Sequence, residues 1–466
     1  MLDSFRNLGA VDIKNVFKSA RGSFKRLSPM KIILLGFLII IFLGTVLLRL
    51  PISSRSGQPT PFMTSYFTAT SAVCVTGLIK VDTHNYWSLF GQLVILGLIQ
   101  VGGMGFMTIC ISAISMTKKK IGLASREIMQ SSVSAPQLGG IVRMTRFILL
   151  GTLTVELAGA FLLSFAFVPQ FGFLKGIWFS LFHSVSAFCN AGFDLMGGSG
   201  DFSSMTGYVS NVYVCVVISL LIVIGGLGFF VWRDVLDCKF RLSKFRLQTK
   251  VVLLISSALI VLGAVLLFLT ELKNPASNKE SLPQQIGSAL FQSVTTRTAG
   301  FNTVDLSSIT HSSMFIMILL MLVGGSPGST AGGMKTTTFA VLISSVISTF
   351  KHRKTAEMFG RRLEDNVTRL ATCAVTLYVF FAGGAAVVIS TLDNIPFINA
   401  LFESASAIAT VGLTTGITTQ LGTISSVLLT LLMLFGRVGS LTMLFAFSNY
   451  KSKPQSQKPL EKIQIG

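Results

Sequence analysis

Thr70-Ser-Ala-Val-Cys-Val-Thr-Gly-Leu78 is too polar and too short to cross a bilayer, yet it lies between two apolar runs that read as spans. Three further stretches share its character: Ser186-Ala-Phe-Cys-Asn-Ala-Gly-Phe193, Thr295-Thr-Arg-Thr-Ala-Gly-Phe301 and Ser406-Ala-Ile-Ala-Thr-Val-Gly-Leu413. Their glycines, Gly77, Gly192, Gly300 and Gly412, are separated by 115, 108 and 112 residues. Self-similarity at a near-constant period marks an internal repeat. The chain therefore reads as four copies of one unit, each built around such a stretch.

Working outward, each unit has the order span, short helix, glycine loop, span. Unit one (32–117) uses Ile32–Leu48, Phe62–Val73 and Ser88–Thr117. Unit two (147–232) uses Phe147–Val168, Gly176–Phe188 and Tyr208–Trp232. Unit three (251–350) uses Val251–Thr270, Leu282–Val294 and a long segment from His311 to Thr349. Unit four (370–450) uses Leu370–Leu392, Pro396–Ala409 and Gln420–Tyr450. The short helices are of re-entrant rather than spanning length. The expected fold is an all-α membrane protein: eight transmembrane helices and four re-entrant pore loops around a central pore.

Composition agrees. Of 466 residues 51% are hydrophobic and 12% charged, against about 25% charged in soluble domains. The mean hydropathy is +0.71. A net charge of +20 could suggest nucleic acid, but its placement argues against that partner. Of 38 Lys and Arg, 29 fall in the tail 1–31, in the loops 118–146, 233–250 and 351–369, and in the tail 451–466. This is the positive-inside pattern, which places both termini in the cytoplasm of a multi-pass plasma-membrane protein contacting lipid. The first 31 residues read as a cytoplasmic tail rather than a signal peptide. The six cysteines show no CxxC spacing, so neither a disulfide framework nor a metal site is indicated.

The repeated loops carry the chemistry. Backbone carbonyls from several chain segments around one axis can replace the hydration shell of an alkali cation. Glycine reaches positive φ without a Cβ penalty, which lets such carbonyls turn inward. A short helix ending at the loop directs its partial negative charge at the centre. The expected filter comprises Val75, Thr76 and Gly77; Asn190, Ala191 and Gly192; Thr298, Ala299 and Gly300; and Thr410, Val411 and Gly412. Asp82, Asp194 and Asp305 follow the first three glycines and are candidates for an acidic mouth, or for ordinary turn formers.

Paired glycines recur in the second spans of units one to three, Gly102-Gly103, Gly225-Gly226 and Gly324-Gly325, and unit four has Gly436-Arg437 at that place. Close helix approach explains such glycines. In unit three the run Gly324, Gly325, Ser326, Pro327, Gly328, Ser329, Thr330, Ala331, Gly332, Gly333, Met334 and Lys335 cannot sustain a helix. That span is expected to break at mid-membrane, where irregular backbone survives only buried in protein or lining water. The run almost spells a phosphate-binding loop, but Met334 spoils the spacing and no strand precedes it. Arg437 interrupts an uncharged span, as a partner for the freed carbonyls of unit three or as a gate under the filter. Arg297 and Glu403 are expected to pair behind the filter. Glu156 is a further mid-span acid, structural or coupling, and His183 reads as packed and hydrogen-bonded rather than a ligand. No nucleophile–base pair or metal cluster suggests an enzyme. An alternating-access, ion-coupled secondary transporter is the alternative, although four repeats of one topology favour a central pore.

On Val-Thr-Gly77, Cys-Asn-Ala-Gly-Phe193, Thr-Arg-Thr-Ala-Gly-Phe-Asn302 and Thr-Val-Gly-Leu-Thr-Thr-Gly416, the chain resembles the TrkH/KtrB/HKT superfamily of potassium transporters, and the KtrB branch within it. The resemblance covers residues 30–450. It implies that the four loop glycines line a potassium filter, with K+ as the metal there, and that uptake uses Na+ as an activating ion. It implies that Gly324–Lys335 gates the pore below the filter, with Arg437 beside it. It further implies a homodimer seated on a separate KtrA-like RCK ring that binds nucleotide.

Overall fold

The structure, a computed structural model, describes residues 28–105, 108, 130, 140–272, 274, 281–353, 355–440 and 442–443. Most of the two basic tails and of the loop 118–146 lies outside these residues.

Unit one opens with α1 (Pro29–Arg49), started by Ser28 and Pro29. Ile33, Phe37, Ile41 and Leu48 form its buried stripe, while Leu38, Ile39, Phe42, Leu43 and Val46 are exposed. A helix that is apolar all round while burying only one stripe is suited to lipid on its other face. The short helix α2 (Phe62–Cys74) follows, then the single-turn α3 (Thr83–Tyr86) and α4 (Leu89–Met104). Unit two comprises α5 (Ile141–Phe171), the short α6 (Phe173–Phe188), α7 (Val212–Leu227) and α8 (Phe229–Asp237). Unit three comprises α9 (Leu247–Glu271), the short α10 (Leu282–Thr295), α11 (His311–Leu322) and α12 (Thr336–Phe350). An exposed hairpin of β1 (Glu357–Met358) and β2 (Arg361–Arg362) leads to unit four: α13 (Asp365–Asp393), the short α14 (Phe397–Ala409) and α15 (Thr423–Val438).

Among the described residues α1, α5, α9 and α13 are each long and apolar enough to cross a membrane alone. In every unit this long helix packs against its own short helix, and each second span packs against the short helix of the next unit. The last such contact, α15 on α2, closes the four units into a ring. The short helices are buried along polar faces, with Thr68, Ser71, Ser184, Ser186, Ser293, Ser404 and Ser406 nearly inaccessible. Polarity is concentrated at the axis and apolar surface lies outside.

Three second spans depart from the continuous helices expected. α4 stops at Gly105 (φ 78°), α7 turns by 90° into α8 at Gly228 (φ 92°), and α15 stops at Gly439 (φ 92°). Unit three breaks as expected, between Leu322 and Thr336. The break is thus a property of all four units. In units one, two and four it falls three residues beyond the glycine that opens the recurrent pair, Gly102, Gly225 or Gly436. Those first glycines permit close approach: a Cβ on Gly102, Gly225 or Gly436 would collide with the carbonyl of Val73, Phe188 or Ile408, at the end of the same unit's short helix. Gly103 instead faces Cys189 of the next unit, where a Cβ would lie 2.7 Å from Sγ.

Candidate functional site

Within three residues of the end of each short helix the chain passes, at the axis, through a residue with left-handed backbone: Val75 (φ 55°), Asn190 (58°), Thr298 (73°) and Thr410 (54°). None of these is glycine, so each carries a backbone cost of roughly 1–2 kcal/mol. Two residues later the chain turns left-handed again at Gly77 (94°), Gly192 (69°), Gly300 (85°) and Gly412 (93°). The expectation assigned positive φ only to the glycines; the structure places it twice in every strand. Asn190 was a recoverable clue, because Asn tolerates this region, whereas Val75, Thr298 and Thr410 are β-branched and gave no such hint.

Hydrogen bonds hold the strained strands. Thr76 N, Ala191 N and Val411 N each donate to the carbonyl of Ser71, Ser186 or Ser406 at 2.8 Å, and Ala299 N to Thr295 O at 2.9 Å. The helix-end hydroxyls add a second tie. Ser71 and Ser406 accept from Gly77 N (3.0 Å) and Gly412 N (3.1 Å). Ser186 and Thr295 instead donate to the Phe193 and Phe301 carbonyls, both at 2.6 Å. Units one and four thus share one anchoring scheme, and units two and three another.

The four glycines meet. A Cβ on Gly77 would lie 2.5 Å from Ala191 O, one on Gly192 2.7 Å from Ala299 O, and one on Gly300 2.5 Å from Val411 O. A Cβ on Gly412 would collide with Thr76 O. Each glycine therefore abuts the carbonyl preceding the glycine of the next unit, in the cyclic order one, two, three, four. All twelve residues expected in the filter lie in this ring, and their side chains are buried.

The loop 323–335 lies at the end of the ring where the short helices terminate. Its neck is closed by Gly324 N donating to Met334 O at 2.8 Å. A Cβ on Gly333 would lie 2.8 Å from Ala409 O, and one on Gly332 would collide with Thr410 Oγ1. The loop is bonded into the break of unit two: Ser326 N and Thr330 N donate to Gly226 O (3.0 Å) and Gly225 O (3.3 Å), and Phe229 N donates to Gly328 O (2.8 Å). Thr330 Oγ1 also donates to Phe188 O at 2.9 Å. The Arg437 guanidinium donates to Thr330 O and, from its other nitrogen, to Gly102 O (2.5 Å) and Gly103 O (2.9 Å). It joins the loop of unit three to the helix end of unit one, in the role of partner to freed carbonyls. Lys335 turns back on its own loop, donating to Ala331 O at 2.9 Å. Lys335 and Arg437 both line a cavity of about 250 Å³ together with Gly105 and Gly439.

The expected Arg297–Glu403 pair does not form. Arg297 donates to Ser256 O (3.0 Å) and Gly324 O (3.2 Å), while Glu403 accepts from the Thr418 hydroxyl. The guanidinium is taken up by one carbonyl of α9 and one freed by the loop, Gly324 O, and the acid has a hydroxyl donor of its own.

The three mouth acids are not placed alike. Asp82 is buried and accepts from Asn85 N (2.8 Å) and Phe202 N (3.0 Å), clamping the outer loops of units one and two. Asp194 accepts from Met196 N at 3.0 Å. Burial pushes its carboxyl up to about 6, with the Met196 hydrogen bond opposing and the Asp82 charge adding. Asp305 is exposed, accepts from Ser307, and lines an outer cavity of about 770 Å³ with Asn302, Thr414 and Asp201, an acid the sequence reading passed over. Local turn bonds hold Asp194 and Asp305, whereas Asp82 combines one with a bond to the outer loop of unit two.

Glu156 sits behind the second strand, where Gln100 Nε2 donates to it at 2.9 Å and the Cys189 thiol at 3.7 Å. His183 is packed as expected: its Nδ1 donates to Phe179 O at 2.7 Å, and Nε2 accepts from Leu195 N at 3.3 Å.

Comparison with known proteins places this ring in context. A sequence profile for TrkH, described as a cation transport protein, matches residues 28–458. The potassium/sodium uptake protein NtpJ of Enterococcus hirae is 39% identical over 448 residues, 95% of this chain and 98% of that protein. The Ktr system potassium uptake protein B of Bacillus subtilis is 37% identical over 426 residues, 91% and 94% of the two chains. The solved potassium transporter TrkH from Vibrio parahaemolyticus superposes with a TM-score of 0.69 at 18% identity, covering 89% of this chain and 85% of that one. With the profile matched over nearly its whole length, this multi-pass membrane chain belongs to the TrkH family of cation transport proteins.

Proposed function

We propose that the protein is the membrane subunit of a potassium uptake system, conducting K+ through the four-strand ring and gated by the loop 323–335. The observation that carries this reading is the cyclic contact of Gly77, Gly192, Gly300 and Gly412, each against the carbonyl of the next strand. Four strands held this closely present carbonyls to one axis, as replacement of an ion's hydration shell requires. Val75–Gly77, Asn190–Gly192, Thr298–Gly300 and Thr410–Gly412 form the filter. Selectivity resides in its carbonyls, because the side chains differ from strand to strand. The loop, pinned by Arg437 across the inner end of the ring, is the gate.

The names of the relatives, a potassium/sodium uptake protein and a Ktr system potassium uptake protein, support K+ as cargo; Na+ as an activating ion is part of the proposal. The reading extends to a homodimer in the plasma membrane with both termini cytoplasmic. It also includes a separate KtrA-like, nucleotide-binding cytoplasmic partner, which the basic inner loops suit. The test is uptake of K+ and Rb+ into vesicles containing the purified protein, with and without external Na+. A negative interior should drive K+ and Rb+ entry well ahead of Na+, and deletion of 326–332 should raise the rate. Equal entry of Na+ and K+ refutes the filter, and a well-assembled deletion with unchanged or lower flux refutes the gate.

A further inference from the structure

We propose that Arg297 is a positioning residue that couples the third filter strand to the neck of the gating loop, an inference that rests on the filter-and-gate reading above. The position three residues before the filter glycine is occupied by Cys74, Cys189, Arg297 and Ala409 in the four units. Three are small; the long cation occurs in the unit whose second span opens into the loop. Arg297 is 8% exposed, and among the described residues no carboxylate lies within ion-pairing distance of it. Its guanidinium is directed at backbone: Nη1 donates to Ser256 O of α9 at 3.0 Å, and Nη2 to Gly324 O at 3.2 Å.

Gly324 is the point where the loop leaves the helix and meets its own end. Its N–H donates to Met334 O at 2.8 Å while its carbonyl accepts from Arg297. The neighbouring filter residue touches the same point, since a Cβ on Gly324 would lie 3.1 Å from Thr298 Cγ2 and 3.2 Å from Gly333 Cα. Displacing the loop about this neck therefore pulls on the residue that begins the third filter strand. Conversely, the strand geometry stabilised by a bound ion sets the position of the neck. Arg437 latches the middle of the loop from unit four, whereas Arg297 holds its root from within unit three.

A residue that merely fills space would alter stability or membrane level and leave the ratio of ion fluxes alone. The test therefore measures Rb+ flux and the K+/Na+ preference of the same vesicles for R297M and R297K. It is repeated in the background lacking residues 326–332. The expected result for R297M is a several-fold rise in flux together with a several-fold fall in K+/Na+ preference. R297K, which retains a donor for one carbonyl, should fall between R297M and the parent. In the deletion background R297M should add little further flux, because coupled residues are non-additive. Wild-type flux and preference in R297M, or a fully additive flux increase in the deletion background, overturns the coupling. Should R297M fail to assemble, R297K decides: parental values in both readouts overturn the proposal. A deletion that leaves flux unchanged refutes the gate, and the coupling with it; a deletion that raises flux beside a parental R297M refutes the coupling alone.

Discussion

Replacing Gly77 by Ser tests the ring at its tightest kind of contact. The new Cβ would lie 2.5 Å from Ala191 O, where ordinary Cβ contacts begin at 3.4 Å. The carbonyl must therefore retreat by about 0.9 Å, the difference of the two, or the serine strand must turn away. The position also has φ 94°, which costs a residue with a Cβ roughly 1–2 kcal/mol. The strand relieves that strain by rotating the carbonyls that face the axis, so the same 1–2 kcal/mol sets the scale of lost discrimination. At 1.4 kcal/mol per decade, K+ preference over Na+ should fall roughly 5–30-fold. The assay is Rb+ uptake into vesicles competed by graded external Na+, normalised to the amount of inserted protein. Gly416→Ala is the control: its φ is 92°, yet a Cβ there meets nothing within 4 Å. It should show comparable strain with parental selectivity. Unchanged selectivity in both Gly77→Ser and Gly412→Ser, with normal insertion, refutes the assignment of the ring as filter.

Three further outcomes are expected. Arg437→Met removes the donor to Thr330, Gly102 and Gly103, so the loop is unlatched. Flux should rise several-fold, and flux at or below the parental rate contradicts the latch. Ser71→Ala and Ser406→Ala deprive Gly77 N and Gly412 N of a buried acceptor, at about 1–3 kcal/mol each; thermal unfolding in detergent should register the loss in both. Asp194, raised by burial to about 6, should become neutral as external pH falls from 7 to 5. Loss of this outer charge should lower uptake over that window, and Asp194→Asn should flatten the profile. The linked stability has the opposite sense, because the folded state holds this proton more tightly than the unfolded chain. Its contribution is present below the ordinary carboxylate value, declines as pH rises toward 6, and is level above it.

The elements read most closely from sequence were the short helices. Phe62–Val73 was expected where α2 runs Phe62–Cys74, and Leu282–Val294 where α10 runs Leu282–Thr295. The starts of three of the four are marked by Pro61, Pro283 and Pro396, and the ends by a change to Thr, Asn and Gly, which are local cues. The broken third span was legible for the same reason, since Gly324–Lys335 cannot be helical in any surroundings. The breaks at Gly105, Gly228 and Gly439 were not, because apolar sequence continues on both sides of each. A single glycine in such a run is compatible with a helix or a bend. The 90° turn at Gly228 has an external partner, with Phe229 N bonded to Gly328 O of another unit.

What the sequence determined by itself was the repeat, the polarity of its connections and the four places where glycine is required, because each follows from composition within a few residues. Only the tertiary structure decided the cyclic order of the strands, the second left-handed residue in each, and the partners of the buried charges. Arg297 shows why. Read along the chain, its natural partner was an acid, Glu403, but a break in the third span released the Gly324 carbonyl beside the guanidinium. Where a backbone group is freed is a property of the folded ring, and no local pattern records it.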